Sequence, residues 1–324
     1  MYYIVVNPAS KSGKGIKIWK SVEKELISQK VEYELYLSKE SGDVPNIVKD
    51  ICTKNLTESS DSVIKIIALG GDGTLNEVLQ GITDFTKVEV GYIPTGSSND
   101  LARDLKFPKD PIACLNNILK CENPTSMDIG CLKYDAESTE LSRFHGANLS
   151  DTRYFDVSCG IGYDAAVCEE ALVSPMKKSL NKIGLGKLVY LCIALKNLFT
   201  TNGYNCHITL DDEIHIELPE FMFAVCMMHK YEGGGFMFCP DADYTDGIID
   251  VCTCADIGRL SILFALPSAL KGKHFRYNGI NKFRAKKVHI ETSLPCWVHT
   301  DGEVTMKSSS ITITCNKEAL KLLF

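Results

Sequence analysis

The feature that most constrains the fold of this chain is a glycine-rich turn between an apolar strand and a helical pattern. The apolar residues 66–69 precede the turn Gly70-Gly71-Asp72-Gly73-Thr74, and residues 75–79 have the pattern of a helix. Glycine lets a ligand approach the backbone, and a helix N-terminus presents N–H groups and a positive dipole, so this arrangement suits a phosphate. Asp72 would lie beside that anion, where a carboxylate serves mainly to hold a divalent metal ion. A strand-to-helix turn without a ligand is the alternative.

Two further loops have the same setting. The apolar residues 88–93 lead into Pro94-Thr95-Gly96-Ser97-Ser98-Asn99-Asp100, and residues 2–6 lead into Asn7-Pro8-Ala9-Ser10-Lys11-Ser12-Gly13. Each loop is polar, contains glycine and runs into a helical pattern. Because parallel strands end at the same edge of a sheet, the sequence predicts that these loops meet along a ligand-binding edge.

The pattern of elements changes along the chain. Residues 1–125 alternate strands with helices, which predicts an α/β domain with a parallel sheet. Residues 126–309 contain short strands bounded by turns, which predicts a mainly antiparallel β domain interrupted by helices near residues 162–172, 186–199 and 257–270. Its predicted strands are residues 127–132, 143–146, 154–159, 204–210, 213–218, 221–228, 248–253, 287–291 and 296–300. Residues 310–324 form a last strand or helix that is expected to return to the first domain.

Composition narrows the functional classes. A net charge of −6 over 324 residues argues against general nucleic-acid binding, and no apolar run approaches the roughly 20 residues that span a bilayer. The 14 cysteines include no Cys-x-x-Cys pair, which indicates free thiols in a reducing cytoplasm. Residues 271–289 carry seven Lys or Arg and no acid, with aromatic residues between them. This stretch suits the anionic face of a membrane, or else it is a solvated basic strand edge.

The ordered set of motifs resembles the diacylglycerol kinase catalytic-domain family, which includes bacterial lipid kinases and sphingosine kinases. The resemblance rests on the three loops above and on further segments. These are Met127-Asp128-Ile129-Gly130, Gly160-Ile161-Gly162-Tyr163-Asp164-Ala165, Pro240-Asp241-Ala242 with Asp246-Gly247-Ile248, and Asp301-Gly302-Glu303. The resemblance implies a first domain like that of NAD kinases and phosphofructokinases, followed by a mainly antiparallel β-sandwich domain. It also implies transfer of the γ-phosphate of ATP to a lipid hydroxyl.

The motifs suggest roles for individual residues. The predicted ATP-binding residues are Asn7, Pro8, Ser12, Gly13, Ser38, Gly70, Gly71, Asp72, Gly73, Thr74, Glu77, Ser97 and Asn99, of which Ser38 rests on the resemblance. Asp72 and Asp100 are the candidates for Mg²⁺ at the triphosphate. Ser38 as a helix cap, Glu77 in a capping box and Asp100 as a first-turn acid of a helix are the alternatives.

Two acids are the predicted catalytic residues. Asp301 is the candidate general base toward the lipid hydroxyl, and Glu303 is an orienting or metal-linked acid. A simple Asp-Gly hairpin turn and an ordinary surface glutamate are the alternatives. The resemblance also implies a structural magnesium site at Asp243, Asp246 and Ile248, although Thr245 stands where the family often has an acid.

The sequence therefore predicts a cytoplasmic lipid kinase that associates peripherally with membranes and uses ATP and Mg²⁺. Diacylglycerol is the expected acceptor, while a sphingoid base, phosphatidylglycerol and an isoprenoid alcohol stay open. A soluble NAD kinase-like enzyme and a catalytically silent nucleotide- or lipid-binding regulator are the alternative functions. The sequence leaves the oligomeric state open, a homodimer included.

Overall fold

The computed structural model of the protein describes the chain except for residues 41, 59–62, 136–150, 175–185 and 202, and in helices it excludes the side chains of residues 12, 58, 173 and 186–191. The predicted strand 143–146 lies outside the described residues. The chain divides into two compact units, of which the first comprises Met1–Ile129 with Lys317–Phe324 and the second comprises Gly130–Asn316. In the described part of the chain, none of the helices combines the length and the apolar character needed to cross a bilayer.

The first unit alternates strands and helices around a parallel sheet, as predicted. Its strands pair in the order β2-β1-β3-β4. They are β1 Tyr2–Val6, β2 Tyr33–Leu37, β3 Ile64–Gly70 and β4 Val88–Pro94. The helices are α1 Ser10–Gly13, α2 Gly15–Ser28, α3 Asp43–Glu58, α4 Asp72–Gly81, α5 Asp100–Asp104 and α6 Pro111–Lys120.

The apolar periodicity of the sequence builds the core of this unit. Trp19, Val22 and Leu26 recur on one face of α2 and are buried. They pack in one cluster with strand residues such as Ile4 and Leu69, which are fully buried as expected for a parallel sheet that is covered on its faces.

The second unit is mainly antiparallel. Its strands are β5 Thr125–Tyr134, which begins in the first unit, β6 Thr152–Phe155, β7 Ser158–Gly162, β8 Tyr204–Leu210, β9 Ile214–Phe221, β10 Phe223–Met227, β11 Ile249–Cys254, β12 Ile280–Ala285, β13 Lys287–Thr300 and β14 Glu303–Leu323. Strands β12-β11-β10-β7-β13-β14 follow one another in antiparallel pairs, β8 and β9 extend from β13, and β6 pairs with β5. The helices are α7 Tyr163–Val173, α8 Gly186–Thr200 and α9 Arg259–Ala269.

The last strand, β14, continues from the second unit into the first. Its final residues pair in parallel with β4, with Leu322 opposite Val90. Two hairpin turns, at Asp211-Asp212 and at Asp301-Gly302, have positive φ at both of these residues.

Three strand predictions are wrong in their extent. The predicted strand 154–159 is two strands, because the backbone N–H groups at the break donate to the carboxylate of Asp301. The predicted strands 287–291 and 296–300 form the single strand β13, which absorbs the intervening residues by a shift of register. The last element, predicted as a strand or a helix, is a strand, because residues 310–323 belong to the longer β14.

Candidate active site

Hydrogen bonds join the loops that follow the parallel strands of the first unit. The Asn7 side-chain amide donates to the Thr74 hydroxyl at 3.2 Å, and the Thr95 hydroxyl donates to the Ser10 hydroxyl at 2.9 Å. The Thr95 N–H donates to the Gly70 carbonyl at 2.7 Å. The predicted meeting of these three loops at one sheet edge is therefore confirmed.

Glycines allow the loop at residues 70–74 and the loop at residues 94–100 to touch backbone to backbone. A Cβ on Gly96 would lie 2.7 Å from the Gly71 Cα, and a Cβ on Gly70 would lie 2.3 Å from the Thr74 hydroxyl oxygen. A side chain at Gly96 would push the two loops apart, and a side chain at Gly70 would displace Thr74. The close approach explains the glycine-rich composition of this edge without reference to a ligand.

Asp72 fastens the same two loops through its carboxylate. One oxygen accepts the Asn99 N–H at 2.7 Å and the other accepts the Asp100 N–H at 3.2 Å. Asn99 has φ +50 and precedes the first turn of α5, and Asp100 is 6% exposed, with the Arg103 guanidinium 3.6 Å away. The structure thus brings together the two predicted magnesium ligands.

The other predicted ATP-binding residues have diverse surroundings. Thr74 is buried, and Glu77 accepts the Gly42 N–H at 2.9 Å instead of forming a capping box, because α4 begins at Asp72. The Ser38 N–H donates to the Val6 carbonyl, and Ser97 is exposed. Pro8, Gly13 and Gly73 lie in the first loop, in α1 and in α4, whereas the side chain of Ser12 lies outside the described part. Their contact with ATP stays a prediction.

In the second unit, the carboxylate of Asp301 is held by backbone donors at the break between β6 and β7. One of its oxygens accepts the N–H groups of Val157 and Ser158, each at 2.9 Å, and the other accepts the Asp156 N–H at 3.2 Å. The Asp301 N–H donates to the Ser158 carbonyl at 2.8 Å. Asp301 is therefore a positioned carboxylate and not merely a turn residue. Glu303, half-buried, starts β14 directly after the turn.

A buried histidine braces this turn. His299 is completely buried, and its Nδ1 accepts the Gly302 N–H at 3.2 Å. On the other side of the ring, Nε2 lies 2.9 Å from an Asp164 oxygen and 3.2 Å from a Glu232 oxygen. With Nδ1 accepting, the proton is assigned to Nε2, which Asp164 and Glu232 share. His299 therefore connects the Asp301-Gly302 turn to two carboxylates.

Opposing influences act on the charge of His299. Burial favours the neutral ring, but the carboxylates of Glu232 and Asp164 outweigh it and raise the pKa of His299 well above its ordinary value. A second proton would go to Nδ1 and would cost the hydrogen bond from Gly302. The same three side chains are the group of described residues whose donor atoms are close enough to hold a metal ion. The Gly302 N–H directed at Nδ1 favours the proton-sharing arrangement, because a metal-bound histidine normally carries a proton on its other ring nitrogen.

The motif Gly160-Ile161-Gly162 makes room for this network. A Cβ on Gly160 would lie 2.0 Å from the Asp164 carboxylate and 2.4 Å from His299 Nε2. Gly162 has φ +103 and directly precedes α7, which carries Asp164 in its first turn. The first glycine supplies space and the second supplies a backbone conformation that other residues rarely adopt.

Asp164 also lines an apolar pocket in the second unit. The pocket encloses about 80 Å³ and opens to solvent. Its walls come from α7, α8, α9 and nearby strands, and include Tyr163, Leu198, Phe223, Ile262, Leu266 and Ile280. Asp164 is the carboxylate among the described lining residues. The pocket suits a hydrocarbon chain.

The loop predicted to bind a structural magnesium is neutralised by cationic side chains. Asp246 pairs with the Arg284 guanidinium and accepts the Ile248 N–H at 2.9 Å, while Asp243 accepts from Thr245. Arg284 also approaches the fully buried Asp250 at 3.4 Å, and Lys282 approaches the same residue at 3.1 Å.

These ion pairs bear on two predictions. The protein supplies cations where the resemblance implies a metal, so the residues fit a magnesium ion poorly, and we assign no step to one at this loop. Acidic partners also neutralise part of the basic stretch at residues 271–289, because Lys282, Arg284 and Lys287 each pair with an acid.

Sequence reasoning missed His299 and Glu232. His299 stands two residues before Asp301 on β13, so its place beside a candidate base was a usable signal. Glu232 lies in a segment without a recognisable motif, and only the tertiary structure brings it to His299.

Two known protein families match the chain. Residues 1–132 match the family described as "Diacylglycerol kinase catalytic domain". Residues 157–324 match the family described as "YegS C-terminal NAD kinase beta sandwich-like domain".

Similar proteins include YtlR from Bacillus subtilis, a lipid kinase by name, which is 27% identical over 94% of this chain and 93% of its own length. A diacylglycerol kinase from Mycobacterium tuberculosis is 26% identical over 70% of this chain and 66% of its own length. A crystal structure described as that of a diacylglycerol kinase from Bacillus anthracis covers 100% of this chain and 96% of its own chain, with a TM-score of 0.67 at 20% identity, and shows the fold. The chain belongs to the diacylglycerol kinase catalytic-domain family of lipid kinases.

Proposed function

We propose that this protein transfers the γ-phosphate of ATP to the hydroxyl group of a lipid, with diacylglycerol as the acceptor. The observation that carries the proposal is the mounting of Asp301. Three backbone N–H groups hold its carboxylate, and His299 links its turn to Asp164 at an apolar pocket. A carboxylate fixed in this way, together with a hydrocarbon pocket, suits a lipid alcohol better than a water-soluble acceptor.

The joined loops of the first unit are the proposed ATP site. The loop glycines keep side chains away from the backbone, so phosphates can approach its N–H groups. Asn7, Ser38, Ser97 and Asn99 lie on or beside these loops and offer polar groups to the nucleotide. Phosphoryl transfer needs mainly positioning and charge stabilisation, which is what such an edge provides.

Asp72 and Asp100 are the proposed holders of Mg²⁺. Their carboxylates are hard oxygen donors, and the Asp100 N–H donates to Asp72 at 3.2 Å, so the two residues lie side by side. The donor set therefore fits magnesium. When bound, the ion offsets the negative charge of the triphosphate. Asp72 in addition keeps the two loops in register through its backbone contacts.

Asp301 is the proposed general base. The lipid hydroxyl oxygen forms a bond to the γ-phosphorus, the bond from that phosphorus to the β–γ bridging oxygen breaks, and ADP leaves. The hydroxyl proton passes to the Asp301 carboxylate. Glu303, next to the turn, is proposed to orient this acid. The apolar pocket holds an acyl chain of the acceptor, and the protein acts at a membrane surface in the cytoplasm.

A second candidate function is that of an NAD kinase-like enzyme, because the C-terminal match is described as NAD kinase-like. Both functions predict phosphate transfer from ATP, but to acceptors of opposite solubility. The apolar walls of the pocket favour the lipid. A catalytically silent binding protein predicts no transfer at all.

The test is incubation of the purified protein with γ-labelled ATP, Mg²⁺ and detergent micelles that contain diacylglycerol, a sphingoid base or phosphatidylglycerol. A parallel sample contains NAD. Label in the organic phase with diacylglycerol is the expected result. Label on NAD alone, or on none of the acceptors, would contradict the proposal. Label on another lipid would keep the lipid kinase and replace the acceptor.

A further inference from the structure

Helix α9 presents large apolar side chains outward. Leu260 and Phe264 are each 66% exposed, and Pro267 is exposed as well. These positions follow the spacing i, i+4, i+7 and so share one face of the helix. On the opposite face, Ile262 and Ala265 are buried. A surface helix normally shows polar residues on its outer face, but the outer face of this helix is apolar as well.

The outer face of α9 carries no charge of its own. Between residues 257 and 290 the chain has no Asp or Glu, and the one cation within the helix, Arg259, uses its guanidinium to hold the carbonyl groups of Phe199 and Thr201 at 2.9 Å. Phe199 itself is 52% exposed at the end of α8. The apolar surface therefore extends to the neighbouring helix end.

Cations border this apolar face. Directly after the helix come exposed Leu270, Lys271 and Lys273. The Arg276 guanidinium donates to the Tyr277 hydroxyl at 3.2 Å, and that hydroxyl donates to the Phe264 carbonyl at 3.3 Å. Arg276 is thereby held next to the turn of α9 that carries Phe264. Unlike Lys282 and Arg284, these three cations have no ion pair with the described acids.

We propose that the outer face of α9 is a docking surface for an anionic bilayer. The surface consists of Leu260, Phe264 and Leu270, with Lys271, Lys273 and Arg276 at its edge. Apolar side chains that enter the acyl boundary beside cations that meet anionic headgroups are the combination found in interfacial helices. The acid-free border favours such a membrane over a symmetric pair of copies through this face, because that pair would bring the cations of both copies together.

Docking through this face has a consequence for the apolar pocket. Ile262 and Ala265, on the buried face of the same helix, line that pocket, so one helix has its outer side toward the bilayer and its inner side on the pocket. A lipid would then reach the pocket along α9 without crossing bulk water. This consequence rests on the proposed function, whereas docking itself does not.

The test measures vesicle binding without ATP. The full chain is sedimented with sucrose-loaded vesicles of phosphatidylcholine alone or with 30% phosphatidylglycerol, a composition chosen as about one anionic lipid in three. We expect binding to the anionic vesicles, a loss of about tenfold or more in the partition coefficient for Leu260→Ser/Phe264→Ser, and a loss of about fivefold for each cation removed in Lys271→Gln/Lys273→Gln. The matched controls are Ile214→Ser/Leu294→Ser and Lys20→Gln/Lys24→Gln, which change exposed residues elsewhere and should bind as the unchanged protein does.

Three outcomes would overturn the proposal. One is no binding by the unchanged protein, the second is equal losses in the controls, and the third is an unchanged partition coefficient in Leu260→Ser/Phe264→Ser. A change of oligomeric state in that variant, seen by light scattering, would assign the face to a protein contact instead. Activity on a monomeric short-chain diacylglycerol separates the two proposals. If docking is right, this variant keeps that activity; if the proposed function is wrong, the unchanged protein lacks it while still binding vesicles.

Discussion

A methyl group at position 160 should disrupt the network that braces the Asp301-Gly302 turn. The Cβ of Gly160→Ala would lie 2.0 Å from the Asp164 carboxylate and 2.4 Å from His299 Nε2, whereas ordinary contacts begin near 3.4 Å. His299 is completely buried, so the groups must separate by about 1 Å or more inside packed surroundings. Loss of a hydrogen bond to a charged group costs about 1.5–3 kcal/mol, and overpacking adds about 1–3 kcal/mol.

We therefore expect Gly160→Ala to lower the free energy of unfolding by about 3 kcal/mol or more. The measurement is the unfolding transition of the second unit in urea. Displacement of the turn by about 1 Å should also reduce kcat by about 100-fold. Gly258→Ala is the matched control, because the nearest atom to its Cβ is a serine oxygen at 4.0 Å. That substitution should cost under about 1 kcal/mol. A Gly160→Ala protein with the denaturation midpoint and kcat of the unchanged protein would refute the reasoning.

Three further predictions concern charged groups. Asp72→Asn places an amide against the N–H groups of the neighbouring loop, so it should lower the free energy of unfolding in urea by about 1–3 kcal/mol. It should also reduce ATP turnover by about 100-fold or more. A loss of turnover at unchanged stability would contradict the role of Asp72 in joining the two loops. Because Arg284 pairs with Asp246, EDTA should leave the Tm of the unchanged protein as it is. Arg284→Met should lower the Tm, and the Tm of this variant should rise with added Mg²⁺. A large shift of the Tm by EDTA in the unchanged protein would show that a metal stabilises the loop. The raised pKa of His299 means that its proton stabilises the fold fully below about pH 6.5, and that this contribution is lost as the pH rises through the folded-state pKa. The difference in unfolding free energy between the unchanged protein and His299→Gln should therefore be larger at pH 6 than at pH 9, and a pH-independent difference would count against the carboxylate contacts.

Local patterns predict much of the first unit. The apolar runs that become β1, β3 and β4, and the buried stripe of Trp19, Val22 and Leu26, are signals within a short window of sequence. The meeting of the loops follows from parallel strand direction alone. The contacts within that edge do not, because the Asn7–Thr74 bond and the Asp72 contacts join residues far apart in the chain.

The second unit shows what a local pattern misses. The break between β6 and β7 exists because Asp301 takes three N–H groups of residues more than 140 positions away. The sequence also shows seven cations in residues 271–289 but not which of them face acids. Only the fold reveals that Lys282 and Arg284 neutralise Asp250, while Lys271, Lys273 and Arg276 border the apolar face of α9.

The most direct test of the central claim is the rate of phosphate transfer to diacylglycerol by Asp301→Asn, measured beside its affinity for ATP. Removal of a general base should lower kcat by about 100-fold to 10,000-fold. ATP affinity should stay within about threefold, because Asp301 belongs to the lipid side of the proposed reaction. Circular dichroism and urea denaturation establish that the variant is folded. A folded Asp301→Asn protein that phosphorylates diacylglycerol within tenfold of the unchanged rate would contradict the account.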